Sequence, residues 1–282
     1  IKKRSQMADV WKRLRKNRLA IFGMVILGLL LFVAVFADFI APYPYDYQDY
    51  DNALQPPSWK HWMGTDNFGR DILSRVIHGS RISLKIGFIS LTGGALVGCI
   101  LGAIAGFFGG ALDTVIMRFS DILMSIPRTV LAISIATTLG PGLTNAMIAV
   151  AISSVPNFAR VVRASTLTVK DEEYVEAARA IGASNTRIIA KYIFPNVMAP
   201  IIVQATLGVG TAIILAASLS FLGLGIQPPT PEWGGMLSAA RGYMRDYGYM
   251  VLFPGLAIMV TVLALNLFGD GLRDALDPKL KK

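Results

Sequence analysis

Residues 174–195 read YVEAARAIGASNTRIIAKYIFP, and how they are read decides the architecture. They lie in a charged insertion, residues 165–195, between two apolar segments each long enough to cross a bilayer. Hydrocarbon cannot satisfy such a segment, so it must sit in water or against another protein. Its grammar is two short helices and a bend. Asp171 is placed to cap the first helix, with Glu172 and Glu173 in the first turn, where the helix dipole favours negative charge. Tyr174, Ala177, Ala178 and Ile181 recur at helical spacing and predict one apolar face, flanked by Glu176 and Arg179. Gly182 supplies a left-handed stop. Ser184 is placed to cap the second helix, which is expected to end before Pro195. On these residues alone the element is either a solvated loop helix or a docking knob. The small pair Ala177 and Ala178 would let a partner come close.

The surroundings are apolar. Hydrophobic residues make up 54% of the chain and charged ones 16%, in long runs, which places it among polytopic membrane proteins. The runs predict six spans, at residues 19–40, 82–108, 112–139, 143–162, 197–224 and 250–268. The first is about 33 Å long as a helix, enough for the hydrocarbon core. It is too long for a signal peptide and reads as an uncleaved span. Because the chain opens at Ile1 and not at Met, leading residues are expected before it. Six spans put both ends on one side. On that topology eight Lys and Arg fall in residues 1–18, six from Arg160 to Lys191, and four in the last tail, against six in the two outer segments. This bias predicts cytoplasmic termini and a cytoplasmic insertion.

Residues 41–81 are therefore expected outside. Phe68, Ile72, Leu73, Val76 and Ile77 are spaced as one helix face, opposite Arg70, Asp71, Ser74 and Arg75. That pattern fits either an interfacial helix or an ordinary outer loop helix. In the second span Gly94, Gly98, Gly102, Gly106 and Gly110 recur every four residues, a stripe for close helix packing. The third span carries Arg118, Asp121, Pro127 and Arg128, and intramembrane charges should face protein or water. Arg118 and Asp121 are spaced to pair, and Pro127 predicts a kink. Arg128 has no local partner in sequence. It either faces a water-filled path and meets a substrate carboxylate, or pairs with a neighbouring subunit. Pro156 and Asn157 lie either near a gate or in a packing contact. In the second outer segment Trp233 and Tyr243 suit a membrane interface.

Several functions are excluded or disfavoured. The net charge of +9 is confined to segments sharing one membrane side and has no nucleic-acid-binding motif beside it. One Cys and two His cannot build a disulfide framework or a multi-histidine zinc site. No HExxH, GxSxG or phosphate-loop motif occurs, which argues against an intramembrane enzyme or an ATPase. A receptor without transport is the remaining competitor.

Glu176-Ala177-Ala178, three residues, Gly182 and then Pro195 resemble the EAA loop of ABC-importer permeases. Tyr192 and Phe194 stand where Ile and Leu are usual, and both stay apolar. Gly64-Thr65-Asp66, Gly69-Arg70-Asp71, Ser74-Arg75, PPTPEWG at 228–234 and GDGLRDALDPK at 269–279 resemble the C-type permease of dipeptide, oligopeptide and nickel importers. The resemblance covers the chain from about residue 11 onward. It implies an all-α type I importer permease with six transmembrane helices, a cytoplasmic coupling helix and an extracytoplasmic segment after the first helix. The implied organisation is a cytoplasmic tail at 1–18, a first span at 19–40, an outer segment at 41–81, a permease core at 82–272 and a cytoplasmic tail at 273–282. Glu173, Tyr174, Glu176, Ala177, Ala178, Arg179, Gly182 and Ala183 would then sit in a groove of a cytoplasmic ATPase, and Arg128, Asp121 and Asn157 would line the substrate path. The implied partners are a second homologous permease, two ATPases holding ATP and Mg, an extracytoplasmic binding protein, and lipid. This chain itself is expected to bind no cofactor or metal, and to reside in a bacterial inner membrane. The expected substrate is a di- or oligopeptide, with nickel or glutathione as the alternative.

Overall fold

In hydrocarbon the backbone must be satisfied within the protein, and apolar runs of about twenty residues or more do so as helices. The computed structural model describes residues 6–276. Its helices are α1 (Gln6–Leu14), α2 (Arg18–Val35), α3 (Ala37–Ile40), α4 (Ile72–Phe108), α5 (Gly110–Ser125), α6 (Arg128–Leu139), α7 (Leu143–Val169), α8 (Glu173–Ala180), α9 (Asn185–Ile188), α10 (Phe194–Phe221), α11 (Trp233–Ala240) and α12 (Tyr249–Leu276). Among the described residues five helices are long and apolar enough to cross a membrane, and six if the bent pair α5–α6 is one span. The terminal cations Lys2, Lys3, Arg4, Lys279, Lys281 and Lys282 lie outside the described residues.

The centre of the molecule is the contact between α4 and α7, and the glycine stripe creates it. A Cβ on Gly98 would stand 2.5 Å from the Cβ of Phe158, and one on Gly106 2.7 Å from that of Thr166. Gly94 and Gly102 would strike Ser154 and the carbonyl of Ala159. The stripe is therefore packing, as its spacing predicts, for four of its five members. Gly110 meets nothing and has φ +57°; with Gly109 at φ +65° it makes the turn into α5.

Four expectations change. The predicted interfacial helix does not exist separately: α4 runs unbroken from Ile72 through the second span. Its supposed polar face is buried, with Arg70, Asp71, Ser74 and Arg75 at 6% exposure or less. Pro127 breaks the third span instead of kinking it, and α5 and α6 meet at 92°. Nor does the second elbow helix end before Pro195. It continues through a wide π turn, Ile189–Ile193, into α10, with Pro195 the second residue of α10. Trp233 is 1% exposed and belongs to the protein interior, not to a lipid interface; Tyr243 packs partly buried beside it.

The buried charges hold an outer cap together. Asp66 accepts from the amides of Phe68 and Arg70 and from Arg70 Nε at 2.7 Å. Asp71 caps α4 through the amide and hydroxyl of Ser74, both at 2.7 Å, and lies 2.9 Å from His61 Nδ1. Arg75 donates to the carbonyls of Tyr45 and Pro229, joining the two outer segments. Trp233 donates from Nε1 to the Val76 carbonyl, and Glu232 caps α11 at the amides of Gly234 and Gly235. Charges this buried persist because each is met by opposite charge or by a donor.

Candidate functional site

The elbow, residues 172–195, is built from its capping residues. Glu172, not Asp171, occupies the N-cap of α8, and it makes no side-chain cap bond. Glu173 and Glu176 stand in the first turn, as the helix dipole favours. At the other end Gly182 has φ +77°, its amide bonds the Arg179 carbonyl, and the Ala183 amide bonds the Ala178 carbonyl. That pair of bonds is a Schellman stop, and Ala183 packs inward behind it. A Cβ at Gly182 would touch nothing, so the requirement there is backbone conformation alone. Ser184 then caps α9, accepting from the Arg187 amide at 3.4 Å.

The predicted apolar face is divided in two. Val175 and Ala178 are buried at 0% and 2%, facing the chain's own core beside Ile188 and Ile193. Tyr174, Ala177 and Ile181 point away, with Ile181 80% exposed. Arg179 lies over the ring of Phe107, 5.3 Å from its centroid, and ties α8 to the end of α4. Partial burial, with the charge of Glu172 adding to it, raises the Tyr174 phenol above its ordinary value. The elbow thus offers an uncovered strip of Tyr174, Ala177 and Ile181, edged by the exposed carboxylates of Glu173 and Glu176.

The expected pair Arg118–Asp121 does not form. Asp121 instead meets Arg160 of α7 at 2.6 Å, and Arg163 one turn on meets Asp113 at 2.6 Å. Arg128, just past the break between α5 and α6, donates to Ser153 Oγ at 3.4 Å and Thr211 Oγ1 at 3.2 Å. Its second terminal nitrogen is buried without a hydrogen-bond partner among the described residues. Ser153, Asn157 and Arg160 are successive on one face of α7. The three path candidates Arg128, Asn157 and Asp121 therefore lie along a single stripe, with Asn157 between the two charges. The residues that sequence reasoning missed are Asn17, which caps α2, and His61, Glu232 and Val175. Glu232 before Trp-Gly-Gly carries a readable N-cap signal; Val175 carries none beyond its periodicity.

Comparison with known proteins bears on the family and the fold. Residues 98–282 match the family described as binding-protein-dependent transport system inner membrane component, and residues 5–57 match the N-terminal transmembrane domain of oligopeptide transport permease C. A dipeptide transport system permease protein from Alkalihalophilus pseudofirmus is 50% identical over 98% of this chain and 91% of its own length. A glutathione transport system permease protein from Escherichia coli is also 50% identical, over 99% of this chain and 92% of its own. A di/tripeptide permease from Pseudomonas aeruginosa is 47% identical over 98% and 93%. In fold, the chain is similar to the inward-facing MetNI methionine ABC transporter, with a TM-score of 0.59, 20% identity, and coverage of 73% of this chain and 98% of that one. The chain belongs to the family of binding-protein-dependent transport system inner membrane components, and is a multi-pass permease of the inner membrane.

Proposed function

We propose that this chain is one permease subunit of an ATP-driven importer of short peptides. Its α8 elbow would carry motion from cytoplasmic ATPases to the membrane path. The observation that carries the reading is the uncovered strip Tyr174, Ala177 and Ile181 on an element whose other face is locked into the chain. An 80% exposed Ile beside two carboxylates is what a groove lined with apolar and basic groups would cover. Glu173, Glu176, Arg179, Gly182 and Ala183 then shape and present that strip. Orientation follows from the charge bias: the elbow and both chain ends face the cytoplasm. ATP and Mg belong to the partner ATPases, and this chain makes and breaks no bonds. Alternating access supplies the mechanism. Closure of the ATPases on nucleotide displaces α8, the π turn and α10 move with it as one continuous piece, and the path between α6, α7 and α10 reopens outward. A second permease subunit and an external binding protein complete the machine.

Peptide as cargo is supported by the dipeptide and di/tripeptide names of the relatives. The glutathione permease relative favours a second reading within the same chemistry, since glutathione is also a small peptide bearing carboxylates. Arg128, whose hydroxyl partners leave its charge uncompensated, is the group for a substrate carboxylate, with Asn157 and Asp121 beneath it. The test is uptake with protein level measured in parallel. Glu176→Lys and Gly182→Asp should leave the protein in the membrane yet lower uptake and substrate-stimulated ATP hydrolysis at least tenfold. Unchanged coupling in both would end the docking role. Arg128→Ala should lower the uptake rate of carboxylate-bearing peptides, and an unaltered rate and preference would remove Arg128 from the path.

A further inference from the structure

A second feature of the molecule stands apart from the path and the elbow. Between α2, α4, α10 and α12 runs an apolar cleft of about 530 Å³, with Leu27, Gly28, Phe88, Leu91, Val209 and Leu265 among its walls. It continues into a smaller hollow of about 300 Å³, sharing Leu31, Leu84 and Phe88, whose far rim carries Arg81 and Lys85. Depth follows from α4. Counted back from its end at Phe108, twenty residues make about 30 Å, the thickness of the hydrocarbon core, and reach Phe88. With the end of α4 at one edge of that core, Lys85 and Arg81, one and two turns further, fall at headgroup level. Arg81 is already held by the carbonyls of Ala34 and Val35 and by Asp38 at 3.1 Å. Lys85 is exposed and, among the described residues, has neither a hydrogen bond nor an ion pair.

We infer that this cleft is a binding site for an anionic glycerophospholipid, with one acyl chain between α2 and α4 and the phosphodiester at Lys85. The choice of occupant rests on charge. Asp38 offsets Arg81, which leaves one uncompensated cation at the rim. A zwitterionic headgroup would bring its own ammonium toward Lys85, whereas an anionic one brings only negative charge. Apolar transfer gives no preference, because a lipid tail is equally at home in the bilayer; shape retains the chain and charge selects the lipid. The side of the membrane is that of residues 41–71, whichever way the protein faces, so the inference stands independently of the orientation proposed above.

The experiment is native mass spectrometry of the protein in its own complex, extracted from bilayers of equal phosphatidylglycerol and phosphatidylethanolamine. Wild type should retain phosphatidylglycerol in excess. Lys85→Ala should lower the ratio of the two retained lipids about fivefold, as expected for one lysine near a membrane surface, and Lys85→Arg should restore it. Gly28→Trp should lower retention of both lipids, since a side chain at Gly28 projects into open space in the cleft. Three outcomes would overturn the inference. One is an unchanged ratio in Lys85→Ala. Another is displacement of the lipid by inorganic phosphate at equal concentration, which would make the site one for soluble anions. The third is release of a partner subunit instead of lipid by Gly28→Trp, which would assign the cleft to a protein helix.

Discussion

Two parts of this molecule lie outside the spans and handle polarity in opposite ways. The outer cap buries charge: Asp66, Arg70, Asp71 and Arg75 are all under 10% exposed, and each has charged or donor partners within the chain. The elbow exposes grease: Ile181 is 80% and Tyr174 39% exposed, while Glu173 and Glu176 project into solvent beside them. The charge cluster of the cap is complete without help, although Trp59 and Trp62 at its surface are 96% and 69% exposed. The elbow is complete on one face only. A segment whose buried charges are all answered from within the chain serves to hold; a segment whose inner face is locked while its apolar strip stays open serves to be held by something else.

The contrast breaks most severely at Asp71. Its carboxylate satisfies the α4 amide of Ser74, the Ser74 hydroxyl and the His61 ring together. Asp71→Ala strips the cap and leaves buried polar groups alone, which should destabilise the protein by about 3–5 kcal/mol. The expected outcome is near-complete loss of monodisperse protein after extraction, read by fluorescence-detected size exclusion. A normal yield would mean that the outer cap is not what secures α4.

At the elbow the same kind of change should act differently. Ile181→Asp puts a charge where solvent already is, so yield and thermal stability should stay within about 0.5 kcal/mol of the parent. Association with ATPases should nevertheless fall tenfold to a hundredfold, the loss of roughly 1.5–3 kcal/mol from one buried aliphatic side chain. Co-purification stoichiometry measures it. If Ile181→Asp lowered yield as Asp71→Ala does, the strip would be part of the chain's own core and the contrast would vanish.

These differences also mark where sequence reading reaches and where it stops. Local rules carry the long apolar helices, four of the five stripe glycines, the left-handed Gly182 and the Ser184 cap, because each depends on neighbours within a turn or on composition. Pairings across helices were beyond it. Arg118 and Asp121 have the right spacing on α5, but Arg160 reaches Asp121 from α7, 39 positions away and adjacent only in the fold. Periodicity gave the elbow an apolar face and misplaced it by part of a turn. Val175 belongs inward, and Tyr174 does not, because the direction of the core is fixed by the π turn and α10 behind it. The charged outer residues read as solvent-facing because part of what covers them is distant in sequence: the carbonyls of Tyr45 and Pro229 that hold Arg75 lie 30 and 154 positions away.

The smallest effect tests how firmly the exposed strip is presented. Ser184 caps α9 through a long bond, 3.4 Å to the Arg187 amide, at an exposed site where water can replace it. Ser184→Ala should therefore fall at the low end of cap energies, about 0.5 kcal/mol, below the resolution of a melting curve for so large a protein. Its consequence should be local. The α9 turn connects the Schellman stop at Gly182 to the π turn, so fraying there loosens the piece through which α8 would move α10. Hydrogen exchange at residues 185–188 should rise about twofold, while the outer cap around Asp71 keeps its protection. Equal change at both places would mean that the two segments melt together, and that the elbow is not the separate, half-finished element that its exposed strip indicates.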